Sequence, residues 1–233
     1  MLHPNSSGQR IAQVTEYPGA GPLAELTAFD KVPFLCRRVN RGEAVIHKGD
    51  PFCAIYAVRS GSFKCASVHE KGHQQIVGFF MRGELFGLEG IGSPAYSCTV
   101  TALEDSEIIV LPFALMQDLA QANMMMQRQL HQILSREITR DHGMMLILGS
   151  MRAEARLASF LLNLSERFAR QGYSRSDFVL RMGRADIGSY LGLQIETVSR
   201  LFAKFQERGL LKVELRNVCI LDPGALQELI AVQ

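Results

Sequence analysis

Glu196, Ser199 and Arg200 are the residues of this chain with the most specific chemistry to offer. Spaced i, i+3 and i+4, they fall on one face of a helical turn. A carboxylate accepts from a cytosine amine, and a guanidinium donates two parallel bonds to guanine O6 and N7. A serine is small enough to approach a thymine edge. Thr197, Arg184, Gln194 and Lys204 are suited to phosphate oxygens, contacts that position a helix without specifying sequence. The set describes the reading of double-stranded DNA rather than a reaction.

Two helices must hold these groups. Residues 184–191 carry apolar Ala185, Ile187 and Leu191, and Gly192 then allows a tight turn. In residues 197–205 the apolar positions are Val198, Leu201, Phe202 and Phe205, at i, i+3, i+4 and i+7. This pattern fits a helix-turn-helix whose second helix enters the major groove with its N-terminal residues at the base edges. Gly209 closes the second helix. Two short apolar runs follow, 210–213 and 218–221, with Arg216-Asn217 placed as a hairpin turn. A helix pair followed by a hairpin is a winged helix, and Arg216 at its tip is a natural phosphate contact. The competing reading is a pair of core helices whose polar face meets only water.

Leu191-Gly192-Leu193, Glu196-Thr197-Val198-Ser199-Arg200 and Gly209-Leu210 resemble the DNA-binding domain of the CRP/FNR family of bacterial transcription regulators. The Glu-x-x-Ser-Arg form is similar to the FNR branch, since the cyclic-AMP receptor branch has Gly at the position of Ser199. The resemblance spans roughly residues 29–229. It implies a homodimer that reads inverted repeats of TTGAT-like half-sites, with the two recognition helices about one helical turn apart. It also implies RNA polymerase as a further partner, touched by an exposed loop around residues 71–73.

Composition narrows the class. The 233 residues are 47% apolar and 21% charged, with a net charge of only +2, so bulk charge is not the means of binding nucleic acid. Basic residues instead crowd the helix pair: Arg181, Arg184, Arg200, Lys204, Arg208, Lys212 and Arg216. No apolar run approaches the roughly 20 residues that span a bilayer, and the N-terminus lacks the apolar core of a secretory signal. A cytoplasmic protein without a membrane partner is expected. No G-x-S-x-G, P-loop, H-E-x-x-H or paired-cysteine motif occurs, which argues against an enzyme.

The expected fold class is α+β, in four parts. Residues 1–22 read as a mobile tail, rich in Gly, Pro and Ser. Residues 23–117 read as an antiparallel β-roll, opened by a short helix within 23–35 that stops near Pro33, and punctuated by Gly about every ten residues. Segments 44–50, 56–61 and 83–87 resemble the cyclic-nucleotide-binding β-roll. Residues 118–150 hold the dimerisation helix, read as a long helix from about 124 to 149 after a short one over 115–119, and residues 151–233 hold the winged helix-turn-helix domain. In the long helix a heptad register places Leu134, Ile138, Asp141, Met145 and Leu148 on one seam, suited to a two-fold dimer. Asp141 is the exception in that seam. Two carboxylates paired across the axis repel or share a proton, so a weaker or conditional dimer is expected.

The family's ligand chemistries are checked residue by residue. A bound cyclic nucleotide needs a guanidinium for its phosphate, and the family supplies an Arg-Ser pair. The matching positions are Tyr96 and Ser97. Glu84 matches the cassette glutamate and, without a cation beside it, is read as capping a turn. The [4Fe–4S] cluster of the FNR branch needs three cysteines in the N-terminal tail and a fourth in the roll. No cysteine precedes Cys36, and the fourth position falls near Ile109. The five cysteines (Cys36, Cys53, Cys65, Cys98, Cys219) are scattered and match no disulfide framework or metal site. The six histidines are assigned to surfaces. No cofactor and no metal are expected. What remains open is another ligand in the roll, thiol oxidation, or control by abundance alone. The alternative function is a ligand- or redox-responsive β-roll binding protein whose helix pair is structural.

Overall fold

The computed structural model describes residues 9–13, 33–68 and 74–231. They form two compact units, and the main boundary lies inside one long helix, between residues 135 and 136. The first unit is an antiparallel β-roll of β1 (Gln9–Gln13), β2 (Pro33–Val39), β3 (Ala44–Ile46), β4 (Ala54–Ser60), β5 (Ser62–Val68), β6 (Gln74–Met81), β7 (Leu85–Phe86), β8 (Thr99–Ala102) and β9 (Ser106–Pro112). One sheet has the order β1-β2-β9-β4-β7 and the other β3-β8-β5-β6.

The apolar runs in β4 and β9 are continuous because both strands are buried on both faces. Alternation divides them. Tyr56, Val58 and Ile108 point into the roll, among Val39, Phe63, Phe80, Phe86 and Val100. Ile55, Ala57, Ile109 and Leu111 point the other way, onto helices. Those helices are α1 (Phe113–Ala122), which contributes Met116, and α2 (Met124–Ser150), which contributes Met126 and Ile133. Asn123 separates them. Its side-chain oxygen accepts from the amides of Met125 (2.9 Å) and Met126 (3.4 Å) and so starts α2 as an N-cap.

The second unit adds α3 (Ala153–Arg170), β10 (Asp177–Val179), α4 (Arg184–Leu191), α5 (Ile195–Glu207), β11 (Leu211–Glu214), β12 (Asn217–Ile220) and α6 (Pro223–Ala231). The three strands pair in the order β10-β12-β11. Leu157, Leu161 and Leu164 of α3 are buried, as is Leu226 of α6, which packs against α3.

Several expectations are corrected. Within the supposed tail, Gln9–Gln13 forms a strand antiparallel to β2, with Ile11 opposite Leu35. The stop expected near Pro33 falls where the strand Pro33–Val39 begins, hydrogen-bonded on both sides, to β1 and β9. The short helix expected before it, the remainder of the tail and the 71–73 loop lie outside the described residues. The boundary placed at 117/118 falls inside α1, while the long helix expected from about 124 to 149 is α2. The hairpin turn is Leu215-Arg216 rather than Arg216-Asn217, since Asn217 already pairs with Glu214.

Candidate nucleic-acid interface

Close backbone approach builds the helix pair. The Asp186 carboxylate accepts from the Gly183 amide at 3.3 Å and fixes the start of α4. At its end Gly192 has φ 63°, the left-handed cap that glycine adopts without strain, and its amide donates to the Gly188 carbonyl. The Leu193 amide donates to the same carbonyl at 2.9 Å. A side chain at Gly188 is excluded, because its Cβ would lie 2.6 Å from the Leu193 carbonyl oxygen. The turn therefore delivers α5 at one angle. Val198, Leu201, Phe202 and Phe205 of α5 are buried, as the spacing required. Gln194, Glu196, Ser199, Arg200 and Lys204 are exposed, and Thr197 is half-buried.

The polar groups of this face differ in how far they are committed. Ser199 Oγ donates back to the Ile195 carbonyl at 2.9 Å, and Arg200 Nη2 donates to Thr197 Oγ1 at 3.4 Å. Both bonds are local and exposed, so a base edge can replace them at little cost. Lys204 is engaged more firmly. Its ammonium pairs with the Glu154 carboxylate on α3, which also holds Arg208 at 3.7 Å. Arg184 lies with its guanidinium carbon 3.2 Å from the centre of the Phe202 ring, a cation–π contact, and burial lowers its pKa to about 10. It stays charged at neutral pH and is fixed as a platform more than as a mobile phosphate ligand.

Arg216 stands at the exposed wing tip, where its Nη1 donates to the Arg181 carbonyl at 3.5 Å. Its neighbour Leu215 has φ 56° and is 99% exposed, the only non-glycine residue with positive φ among the described residues. Sequence reasoning passed over two further residues: Glu154, and Arg156. The Arg156 guanidinium donates to the carbonyls of Leu148 (2.8 Å), Met151 (2.8 Å) and Leu191 (3.0 Å). One side chain thus satisfies carbonyls at the end of α2 and the end of α4, where helices leave acceptors orphaned. The basic residue after the start of α3 was the available signal, but its targets are not visible in sequence.

Comparison with known proteins now decides the class. Residues 36–123 match the cyclic nucleotide-binding domain family, and residues 155–229 match the Crp-like helix-turn-helix domain family. The transcriptional regulatory protein btr of Bordetella pertussis is 42% identical over 91% of this chain and 88% of its own length. The transcriptional activator protein FnrA of Stutzerimonas stutzeri is 42% identical over 86% of this chain and 82% of its own. The chain belongs to the CRP/FNR family of transcription regulators. The solved structure of FixK2 from Bradyrhizobium japonicum, 26% identical, superposes with a TM-score of 0.79 over 86% of this chain and 98% of that one. As a CRP/FNR regulator the protein belongs to a non-enzymatic family, and its partner is DNA.

In this CRP/FNR roll the place of the family's phosphate-binding arginine is taken by Tyr96. Its ring is 3% exposed, and its hydroxyl donates to the Ala54 carbonyl (2.6 Å) while accepting from the Ala54 amide (3.2 Å). Phe52 meets it edge-on at 5.4 Å. Glu84 accepts from the Met81 amide at 3.0 Å, as a turn cap does. These residues do not fit a cyclic phosphate, since a phenol tied to backbone supplies no cation. Ile109, at the expected fourth cysteine position, is buried opposite Cys36 and Ala57. Among the described residues no three His, Cys, Asp or Glu side chains gather where they could hold a metal ion.

Proposed function

We propose that this regulator acts as a homodimer on inverted repeats of TTGAT-like half-sites, with neither a cyclic nucleotide nor an iron–sulfur cluster as its signal. The exposed Glu196, Ser199 and Arg200, above a buried Val198-Leu201-Phe202-Phe205 stripe, carry the reading. Arg200 donates to guanine O6 and N7, Glu196 accepts from cytosine N4, and Ser199 meets a thymine edge. Gln194, Thr197 and the partly committed Arg184, Lys204 and Arg216 face phosphates. The dimer is supported by α2, where Ile138 and Met145 are 56% and 69% exposed on one chain and Asp141 lies between them. Leu134 and Leu148 extend this seam as half-buried positions. Dispensing with nucleotide is supported by Tyr96 and Glu84, and dispensing with a cluster by Ile109 and the sequence before Cys36. No helix among the described residues is long and apolar enough to cross a membrane, in keeping with work at DNA in the cytoplasm. RNA polymerase is a proposed partner by family resemblance alone.

The test is binding of the metal-free protein in air to a TTGAT-N4-ATCAA duplex and to a scrambled one at fixed salt, with mass read by light scattering. Tight, selective binding by a dimer is expected. Arg200→Ala should lose about 1–3 kcal/mol per half-site and relax one G·C preference. An equal loss on both duplexes would contradict base reading, and weak binding by a monomer would place an unassigned effector upstream of the seam. A dimer without selectivity would overturn the assignment of Glu196, Ser199 and Arg200.

A further inference from the structure

Two thiols of the β-roll meet at the edge of its core. Cys65 on β5 lies directly opposite Val100 of β8. Cys98 stands just before the start of β8, two residues from Val100, and packs on the same core cluster as Cys65. Cys65 is 6% exposed within the aromatic core, and Cys98 packs half-buried against that core. The Cys98 sulfur shares a hydrogen bond with the Cys65 thiol and, at 3.6 Å, with Ser97 Oγ. Lys48 and Glu89 are the charged groups that face it. The Cys65 hydrogen bond, with Ser97 and the Lys48 cation, outweighs burial and the Glu89 carboxylate and lowers the Cys98 thiol to about 7. Nothing in the reading of DNA uses this pair.

We propose that Cys98 and Cys65 form a peroxide-reactive dithiol site, with Cys98 the attacking thiolate and Cys65 the resolving thiol. The Cys98 thiolate attacks one oxygen of a hydroperoxide. The O–O bond breaks, the second oxygen leaves with a proton as water or alcohol, and Cys98 becomes a sulfenic acid. The Cys65 sulfur then attacks the Cys98 sulfur, the S–O bond breaks, and the hydroxyl leaves as water with the Cys65 proton. Two thiols are oxidised to a disulfide and one peroxide is reduced. The half-buried sulfur is the one an oxidant reaches, and the buried one waits behind it.

The experiment uses the full chain, hydrogen peroxide and dimedone, with peptide mapping by mass spectrometry. The wild type should lose two hydrogens in a single Cys65–Cys98 crosslinked peptide. Cys65→Ala should accumulate a dimedone adduct on Cys98, and Cys98→Ala should leave Cys65 reduced. Competitive alkylation of the unmutated protein needs no variant to fold. At pH 7 about half of Cys98 is thiolate, against about 3% for an ordinary thiol, a roughly 16-fold gain that lower nucleophilicity trims to about 3–4-fold. Cys98 should therefore react ahead of Cys53, although Cys53 is the more exposed. Reaction of Cys53 or Cys219 while Cys98 stays reduced overturns the site. A Cys98 adduct in wild type with no crosslink overturns the resolving role of Cys65.

Discussion

Glu154→Gln should tighten DNA binding, because Glu154 is the internal competitor of the phosphates. Its carboxylate pairs with Lys204 and, at 3.7 Å, with Arg208, and the side chains are 32%, 49% and 43% exposed. At that exposure an ion pair contributes about 0.2–1 kcal/mol, all of which must be given up when Lys204 turns to a phosphate. Two heads in a dimer double the loss to about 0.4–2 kcal/mol, so removing the charge should lower Kd by about 2- to 30-fold. The dependence on salt should steepen by about 0.9 for each cation released to a phosphate. Fluorescence anisotropy with the TTGAT duplex and its scrambled form, across several salt concentrations, reads both quantities. The gain should be equal on the two duplexes, because phosphate contacts carry no base information. Lys204→Ala in the same chain should erase most of the gain, as a double-mutant cycle requires of a coupled pair. Weaker binding by a folded Glu154→Gln protein would refute this reasoning and make Glu154 a clamp that aims Lys204. A gain confined to the specific duplex would make Lys204 a base reader.

Three further outcomes follow from the same geometry. Gly188→Ala pushes a methyl against the Leu193 carbonyl, 2.6 Å from its ideal position, and should cost about 1–3 kcal/mol in urea unfolding; a neutral change would mean the turn opens freely. Arg156→Lys replaces a planar fork bonded to three carbonyls by a point charge and should cost about 2–4 kcal/mol, read by thermal unfolding, whereas a loss below about 0.5 kcal/mol would show that solvent satisfies those carbonyls equally well. Asp141→Leu should strengthen dimerisation at least tenfold in sedimentation equilibrium, since each chain loses a carboxylate and gains an apolar contact of about 1.5–3 kcal/mol. An unchanged dissociation constant would put Asp141 outside the seam.

How much of this was legible in the sequence depended on the range of the interactions. The periodicity of α5 and the caps at Gly192 and Gly209 are local, and structure and sequence agree on them. Asn123 and α6 were legible but passed over. In α6, Asp222 accepts from the Ala225 amide at 2.9 Å with Pro223 as the first helical residue, a start signal written in four letters. The wing was shifted by one residue because Leu210 reads as strand. It is buried, but its amide donates to the Phe205 carbonyl and its carbonyl accepts from Leu221 and Asp222, so it closes α5 instead. Long-range partners were beyond sequence reading. Glu154 precedes Lys204 by 50 residues, Cys65 precedes Cys98 by 33, and nothing local joins either pair.

On the proposed reading, the committed cations would make a chain of net charge +2 selective. A regulator is useful in proportion to the ratio of specific to non-specific binding, and non-specific binding is almost wholly phosphate contact. Five basic residues of the head have their charge partly spent inside the protein: Arg184 on the Phe202 ring, Lys204 and Arg208 on Glu154, Lys212 on Glu214, and Arg216 on the Arg181 carbonyl. Arg200 holds only a 3.4 Å bond to Thr197 on its own helix turn. On the proposed reading, random DNA must displace internal partners for a contact that carries no sequence information, while the correct site would also gain the bidentate bond from Arg200. Removing internal partners one at a time should raise affinity for all DNA and narrow the margin that Arg200 provides, so the same substitution that tightens binding should make the regulator more easily diluted over non-cognate sequence.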